Sequence, residues 1–333
     1  SNNSSGITIS GNSNGTTALF ENGIISDNHT DLSGGGAYVS MDAYATFDNV
    51  IISENSSMNG GGIYCNFGHV TLLDSEIRNN TAEYGGGLYN NSYSSMNLEK
   101  VLIADNSATQ MGGAMVVFDA QTQMDHVTIT NNIASSTGGI LFDLMTSVPN
   151  TVTNSIIHQN FPEEITSFGN EPVISYSNIR NGFAGEGNID LDPKFVNTTE
   201  GDYVLSWPWF PNDSKDRSPC IDSGDPNAAV DPDQTRTDMG YRYFHQPSGI
   251  IGTGKGATTQ FVYPNPAFNT VHLNEKGELD EVTIFNSAGH EIKKINPDRM
   301  NSGVDISGFQ PGIYIVRMVK VNGTVSTEKL IKR

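Results

Sequence analysis

Chemistry in this chain would have to come from its carboxylates. The seven histidines, His29, His69, His126, His158, His245, His272 and His290, show no His-x-x-x-His metal spacing. No Gly-x-Ser-x-Gly elbow is present, and the triple glycines lack the Lys-Ser/Thr of a phosphate loop. Five acids gather at Asp222, Asp225, Asp231, Asp233 and Asp238. Calcium takes about 6–8 oxygen ligands, and the spacing here is not that of an EF-hand. A solvated turn cluster is the simpler reading, with a calcium loop at Asp222, Asp225, Asp231 and Asp233 as the alternative. No catalytic residue, metal ligand or cofactor is assigned.

Any further site depends on which residues the fold brings together, and an internal repeat governs that. Glycine clusters recur at Gly34-Gly35-Gly36, Gly60-Gly61-Gly62, Gly85-Gly86-Gly87, Gly112-Gly113 and Gly138-Gly139. An Ile stands three residues before an Asn at Ile25/Asn28, Ile52/Asn55, Ile77/Asn80, Ile103/Asn106, Ile129/Asn132 and Ile157/Asn160. The period is near 26, and a further unit fits if Gly182 takes the Asn place. Stacked units give apolar columns: Phe20, Phe47, Leu72, Leu98, Met124 and Val152; Ala37, Ile63, Leu88, Ala114 and Ile140; Val39, Cys65, Asn90, Val116 and Phe142. Alternation with polar neighbours is the period 2 of strands. Short strands, Gly or Asn corners and this period predict a parallel β-helix, one coil per repeat. Inward Asn side chains can then bond to neighbouring backbones and to each other. A leucine-rich repeat would need a leucine pattern that is absent.

Stacking also defines outward columns. Tyr38, Tyr64 and Tyr89 follow the triple glycines in successive coils, with Met115 and Leu141 next. They could form a glycan platform, but cross-strand stacking that stabilises the sheet is the plainer reading. Arg78 and Arg180 share a column about four coils apart, roughly 19 Å, too far to act on one bond. Adjacent coils could pair Asp27 with Glu54, or Asp105 with Asp125, within the ~5–9 Å a glycosidase needs. With 20 acids in residues 1–192, such pairs are expected by chance.

The net charge is −19. Residues 1–192 hold 20 acidic and 3 basic residues, net −17, and residues 193–333 hold 17 and 15, net −2. So acidic a body repels phosphate backbones, which excludes nucleic acid as a partner. No apolar run approaches the ~18 residues of a membrane helix. Cys65 and Cys220 form neither a disulfide framework nor a zinc site, and Cys65 falls in an inward column. The charge shift and the end of the repeat divide the chain into coils at 1–190, a cap at 191–245, a Gly/Thr-rich linker at 246–260 and a C-terminal module at 261–333. The cap is expected to cover the last coil. The first coil begins within a dozen residues, without a preceding amphipathic helix, so the chain reads as the C-terminal part of a longer protein.

Strand-like runs over 261–333 predict a small antiparallel β-sandwich. They carry Tyr263-Pro264-Asn265-Pro266, then Val282 to Gly289, then Pro311-Gly312-Ile313-Tyr314, and finish Lys329-Leu330-Ile331-Lys332-Arg333. This module resembles the type A sorting domain of the type IX secretion system of Bacteroidetes. The Asn-x-[Ile/Val]-Ile-x-x-Asn and Gly-Gly-Gly-[Ile/Leu]-Tyr runs of residues 6–190 resemble the right-handed parallel β-helix repeats of bacterial surface and polymorphic outer-membrane proteins. The resemblance implies a secreted protein, on the cell surface or extracellular after periplasmic transit. It implies that 261–333 binds the type IX translocon and its outer-membrane shuttle barrel, and that a sortase-like peptidase cleaves in the linker. Lys329, Lys332 and Arg333, at a basic edge strand, are expected to meet acidic groups of that partner.

For the passenger, the acidic coils favour an adhesin or structural stalk, with a surface polysaccharide as a possible ligand. The alternative is a polysaccharide lyase or glycoside hydrolase. Lyases of this fold generally pair acidic calcium ligands with an Arg or Lys base, and only Arg78, Lys100 and Arg180 are available in the coils.

Overall fold

Period-2 alternation broken by frequent corner residues gives strands of only a few residues, each able to bury one face. The computed structural model describes residues 5–11, 15–145, 149–208, 214–246, 262–263, 265, 267–273, 279–286, 290–295, 303–321 and 325–332. The chain divides into two units, residues 1–244 and 245–333, each described by itself.

The first unit is a right-handed parallel β-solenoid with three seven-stranded sheets. Sheet one runs through Ile7–Ser10, Ala37–Ser40, Ile63–Asn66, Leu88–Asn90, Met115–Phe118, Ile140–Leu144 and Ile165–Gly169. Sheet two runs from Thr16–Glu21 through Ala43–Asp48, His69–Leu73 and Ser95–Glu99 to Val173–Ser175. Sheet three runs from Ile24–Ser26 through Glu76–Arg78, Leu102–Ala104, Thr128–Thr130 and Ile156–His158 to Asn178–Ile179. Inward residues such as Phe47, Leu72, Leu98, Ile52, Ile77 and Ile103 are fully buried in one continuous core.

The columns read from the sequence hold, with one slip. In sheet one the register is Ala37, Ile63, Leu88, Met115, Ile140. Met115 and Val117 therefore hold the inward strand places read for Ala114 and Val116, Ala114 enters the core one position earlier, and Val116 follows the tyrosines instead of Met115. The cause is a substitution within the glycine cluster. Ala114 takes the third glycine's place, where it accepts from Gly87 N and donates to Gly138 O.

Most corners among the described residues have a left-handed residue, which turns the chain sharply between sheets. Between sheets two and three these are Asn22, Asn49, Asp74, Lys100, His126, Asn154 and Tyr176. After sheet three they are Asp27, Glu54, Asn79, Asp105, Asn131, Gln159 and Asn181. Between sheets one and two they are Met41, Phe67, Tyr93 and Asp119.

An asparagine ladder runs down the interior. Each side-chain amide donates to the Oδ1 of the next: Asn28 to Asn55 (2.9 Å), Asn55 to Asn80 (3.0 Å), Asn80 to Asn106 (3.0 Å), Asn106 to Asn132 (2.9 Å) and Asn132 to Asn160 (2.8 Å). The amides of Asn55, Asn80, Asn106, Asn132 and Asn160 also donate to the carbonyls of Ile25, Ile52, Ile77, Ile103 and Ile129, respectively. The ladder ends at Glu164, whose carboxylate accepts from Asn160 Nδ2 and N and pairs with Arg180 Nε at 2.6 Å. A buried carboxylate in that position is held by charge-assisted bonds on both sides.

The closing segment does more than cover the last coil. Ile189 N does bond Ser177 O there. Beyond it, Phe195–Asn197 and Asp202–Leu205 form a hairpin and the chain returns along the outer face of sheet three. Tyr203 and Tyr241 pack on Leu102 and Ala104, and Leu205, Trp207, Ile221 and Met239 cluster with Ile156. Arg242 reaches Glu76 at 3.2 Å, and Tyr241 N bonds Thr128 Oγ1 at 3.0 Å. The segment is a strap across four coils, because apolar outward residues on sheet three need cover that acidic coils elsewhere do not.

The second unit is a small antiparallel β-sandwich. One sheet orders Glu291–Ile295, Leu279–Asn286, Gly312–Lys320 and Val325–Lys332, and the other Val262–Tyr263, Thr270–Leu273 and Val304–Asp305. Val262, Val271, Val282, Ile284, Val316, Met318 and Leu330 fill the space between.

Candidate functional site

The strap leaves a polar cleft of about 440 Å³ where it crosses the corner after sheet three. Arg78, Asn79, Asp105, Asn131, Thr198, Thr199 and Gly201 line it. Left-handed corner residues of three successive coils supply Asn79, Asp105 and Asn131, so the amides and the carboxylate project side by side. Asp105 Oδ1 accepts from Asn131 Nδ2 and from Tyr203 OH at 2.8 Å. Burial and that carboxylate raise the Tyr203 hydroxyl pKa, keeping it a neutral donor. Arg78 binds Glu76 at 3.5 Å and Gly201 O at 3.2 Å, while its Nε is buried with no hydrogen-bond partner. One carboxylate, one guanidinium, amides and hydroxyls suit a polyhydroxylated ligand. Asp105 is the carboxylate among the residues lining the cleft, and Glu76 pairs with Arg78 and Arg242.

Other acids are placed differently from each other. Asp27 and Glu54 sit at equivalent corners of adjacent coils, following the paired Ser26 and Ser53. Asp105 follows the sheet-three strand Leu102–Ala104, whereas Asp125 ends the sheet-two strand Gln121–Asp125 and binds His126, Thr153 and Asn154.

The predicted tyrosine column is a ladder. The Tyr38 and Tyr64 rings stack at 5.5 Å and 17°, and Tyr64 and Tyr89 lie 5.3 Å apart at 46°. Both faces of the middle ring are spent on its neighbours, and its hydroxyl accepts from Asn91 Nδ2 at 2.8 Å. Burial pushes the Tyr89 hydroxyl up to about 12. This geometry supports cross-strand stabilisation. Tyr64→Ala is expected to cost about 2 kcal/mol in chemical denaturation, since each aromatic pair contributes about 0.5–1.5 kcal/mol beyond area burial.

The aspartates of the strap are used in its turns. Asp222 pairs with Arg217 and donates its N–H to Asp238 Oδ1 at 2.7 Å. Asp225 Oδ1 accepts from Asn227 N, Asp231 Oδ2 from Asp238 N, and Asp233 Oδ1 from Thr235 N and Oγ1. Among the described residues no three His, Cys, Asp or Glu side chains gather so as to hold a metal ion. His126 ties the strap down, with Nε2 at 2.6 Å from Thr237 Oγ1 and Nδ1 at 3.0 Å from Asp125. Burial pushes the Asp231 carboxyl up to about 6, and nearby Asp233 adds to the rise. A carboxyl raised above its unfolded value of ~3.9 favours folding most below that value, and the contribution is lost as pH rises to about 6. Asp231→Asn is therefore expected to raise Tm at pH 7.5, with the gain vanishing at pH 4, equally in EDTA and in calcium.

Burial pushes the Cys65 and Cys220 thiols up to about 12, so both stay protonated and unreactive.

In the second unit the predicted motif residues converge on the final strand. Tyr263 pairs with His272 through the backbone. Asn265 Nδ2 donates to Lys329 O and its Oδ1 accepts from Ile331 N at 2.8 Å, while Ala267 N bonds Ile331 O at 2.8 Å. Gly312 pairs with Lys332, and buried Tyr314 pairs with Leu330 and donates its hydroxyl to Gln310 O. The expectation of a free basic edge needs correcting. Asn265 and Ala267 already pair with Lys329, Ile331 and Lys332, and Lys332 is buried because it shares the inward face of Leu330. Lys329 is exposed. Pro264, Pro266, Arg333, the Tyr263 side chain and linker residues 247–260 lie outside the described residues.

Fold and tail together define a secreted repeat protein, a parallel β-helix passenger joined to a C-terminal sorting module. The chain belongs to the right-handed β-helix family, whose description "Right handed beta helix region" matches residues 5–185. Residues 261–333 match the family described as "Secretion system C-terminal sorting domain", which implies export through that machinery to a secreted or cell-surface location. A curated relative, Beta-agarase A of Zobellia galactanivorans, is 38% identical over 65 residues, which are 18% of this chain and 12% of that protein. The chain thus spans about an eighth of the relative it matches. No solved structure matches.

Proposed function

We propose that this chain is a cargo of the type IX secretion system of a Bacteroidetes cell, and that its β-helix serves outside the cell as an adhesive or structural stalk. The observation that carries the export reading is the sorting-domain match over 261–333. The uninterrupted ladder from Asn28 to Glu164 supports the stalk, since it ties every coil to the next through buried side chains. The tail docks on the translocon and its shuttle barrel, and a sortase-like peptidase acts in the 246–260 linker.

A truncated chain lacking 261–333 is expected to stay in the periplasm, and residues 246–333 fused to a periplasmic reporter are expected to carry it out. Secretion of the truncated chain would overturn the reading. Within the tail, Lys329→Glu is the informative variant. Deleting 329–333 would pull fully buried Leu330 from the core and unfold the module.

A second reading, a polysaccharide-degrading enzyme, rests on the polar cleft and the partial likeness to a protein named Beta-agarase A. A match over 12% of that protein is the length of a shared tail rather than of a catalytic domain. Release of reducing ends from a polysaccharide panel, abolished by Asp105→Asn, would favour it.

A further inference from the structure

Two of the three corner columns fill their left-handed positions mainly with Asn, Asp and other polar residues. The corner between sheets one and two does not. Met41 (φ 55°), followed by Asp42 (φ 58°), then Phe67 (φ 53°) and Tyr93 (φ 58°) occupy it in successive coils. Bulky side chains are rare in this region of backbone space, and strain repeated in three successive coils is a pointer to use, whereas the one left-handed tyrosine of another corner, Tyr176 (φ 46°), stands alone in its column. None of the three gains cover in return. Met41 is 66% exposed, Phe67 48% and Tyr93 75%. Phe67 and Tyr93 stack at 5.4 Å and 22°. Beside them Tyr44, 51% exposed, stacks on His69 at 4.3 Å. The next coil places Asp119 in the column, so the aromatic row stops at Tyr93 and leaves its ring mostly open.

We propose that this corner is a binding platform for a neutral polysaccharide. Pyranose rings present apolar C–H faces that stack on aromatic rings, while their hydroxyls seek amide and hydroxyl partners. Asn66 and Asn91, joined at 3.0 Å, and Ser95, bonded to His69 at 2.7 Å, border the row and supply such groups. The charge selects the ligand class. Residues 1–192 carry net −17, so a uronate or sulfated polymer approaching this corner is repelled, whereas a neutral glycan is not. The repeat places one corner residue per coil, at the ~4.8 Å strand spacing, which suits an extended chain lying along the solenoid axis. This platform is separate from the Tyr38–Tyr64–Tyr89 ladder, whose middle ring has both faces occupied.

The inference deepens the adhesive reading and rests on it. Affinity electrophoresis of the purified full chain tests it, with gels holding a neutral galactan, glucan, mannan or xylan, or a uronate or sulfated polymer. At least one neutral polymer is expected to retard the protein. Tyr44→Ala with Tyr93→Ala is expected to weaken that binding at least ten-fold without lowering Tm by more than a few degrees, because both rings are exposed. Tyr93→Phe keeps it. Retardation in no neutral gel, retardation unchanged in the double variant, or stronger retardation by the anionic polymers would overturn the proposal. Export plays no part in this assay, so its outcome and that of the tail deletion are independent.

Discussion

Asn106→Leu is expected to cost the solenoid about 4 kcal/mol, read as a fall in the denaturant midpoint. The exchange nearly conserves volume, so the loss is polar. Asn106 Oδ1 accepts from both the backbone N–H and the side-chain amide of Asn80, at 2.9 and 3.0 Å. Its own amide donates to Ile77 O and Asn132 Oδ1. Leucine leaves the Asn80 N–H with no acceptor in a fully buried place, and strips one partner from each of three other groups. An orphaned buried donor costs about 1–3 kcal/mol, and the weakened bonds add about 0.5–1.5 kcal/mol each before relaxation. The comparison is Asn49→Gly, where an exposed amide bonds Asn22 Oδ1 and glycine keeps the left-handed backbone (φ 52°), and where a change within about 0.5 kcal/mol is expected. Equal effects at the two sites would show that the ladder contributes nothing special.

Gly86→Val is expected to be as severe, at about 4 kcal/mol, and to leave the protein insoluble on expression. A Cβ at Gly86 would stand 2.4 Å from Gly113 O and 2.5 Å from Ser107 O. Both are backbone atoms of the next coil, so no rotamer change relieves the clash. Relief means moving coils apart, against bonds such as Gly86 N to Gly112 O at 2.9 Å. Overpacking alone costs about 1–3 kcal/mol, and the stretched coil-to-coil bonds add to it. Gly23→Ala is the control. Its nearest atom, Glu21 O, is 3.9 Å away and its backbone is ordinary, so thermal melting is expected to change little.

The same two features explain why so much of the fold could be read from the sequence. Asn and Gly recur because each coil must satisfy the one below, so a through-space requirement is written as a linear period. The phase of sheets two and three follows directly. The reading failed where the period is degraded. Two glycines in one coil looked like a shortened cluster, yet Ala114 fills the third place and shifts Met115 inward. Glu164 was missed as the ladder's end because it reaches Asn160 from the same coil, not from the next repeat. The strap was misjudged for a deeper reason. Contacts such as Tyr203 with Asp105, or Arg242 with Glu76, join residues about a hundred or more positions apart and leave no spacing to find. The aromatic corner was legible only after the coils were in register, since Phe67 and Tyr93 stand at unlike distances from their glycine clusters.

The strap has a mechanical meaning for a displayed protein. Backbone bonds between coils run along the solenoid axis, so tension applied at the first coil loads them one row at a time and peels the stack like tape. Each freed coil of about 26 residues pays out roughly 90 Å of extended chain. Peeling would pass through the coils before Glu76 and then meet a cross-tie at Glu76–Arg242, Arg78–Gly201 and Asp105–Tyr203. Under load the coils before Glu76 would lengthen first and the braced coils would hold second.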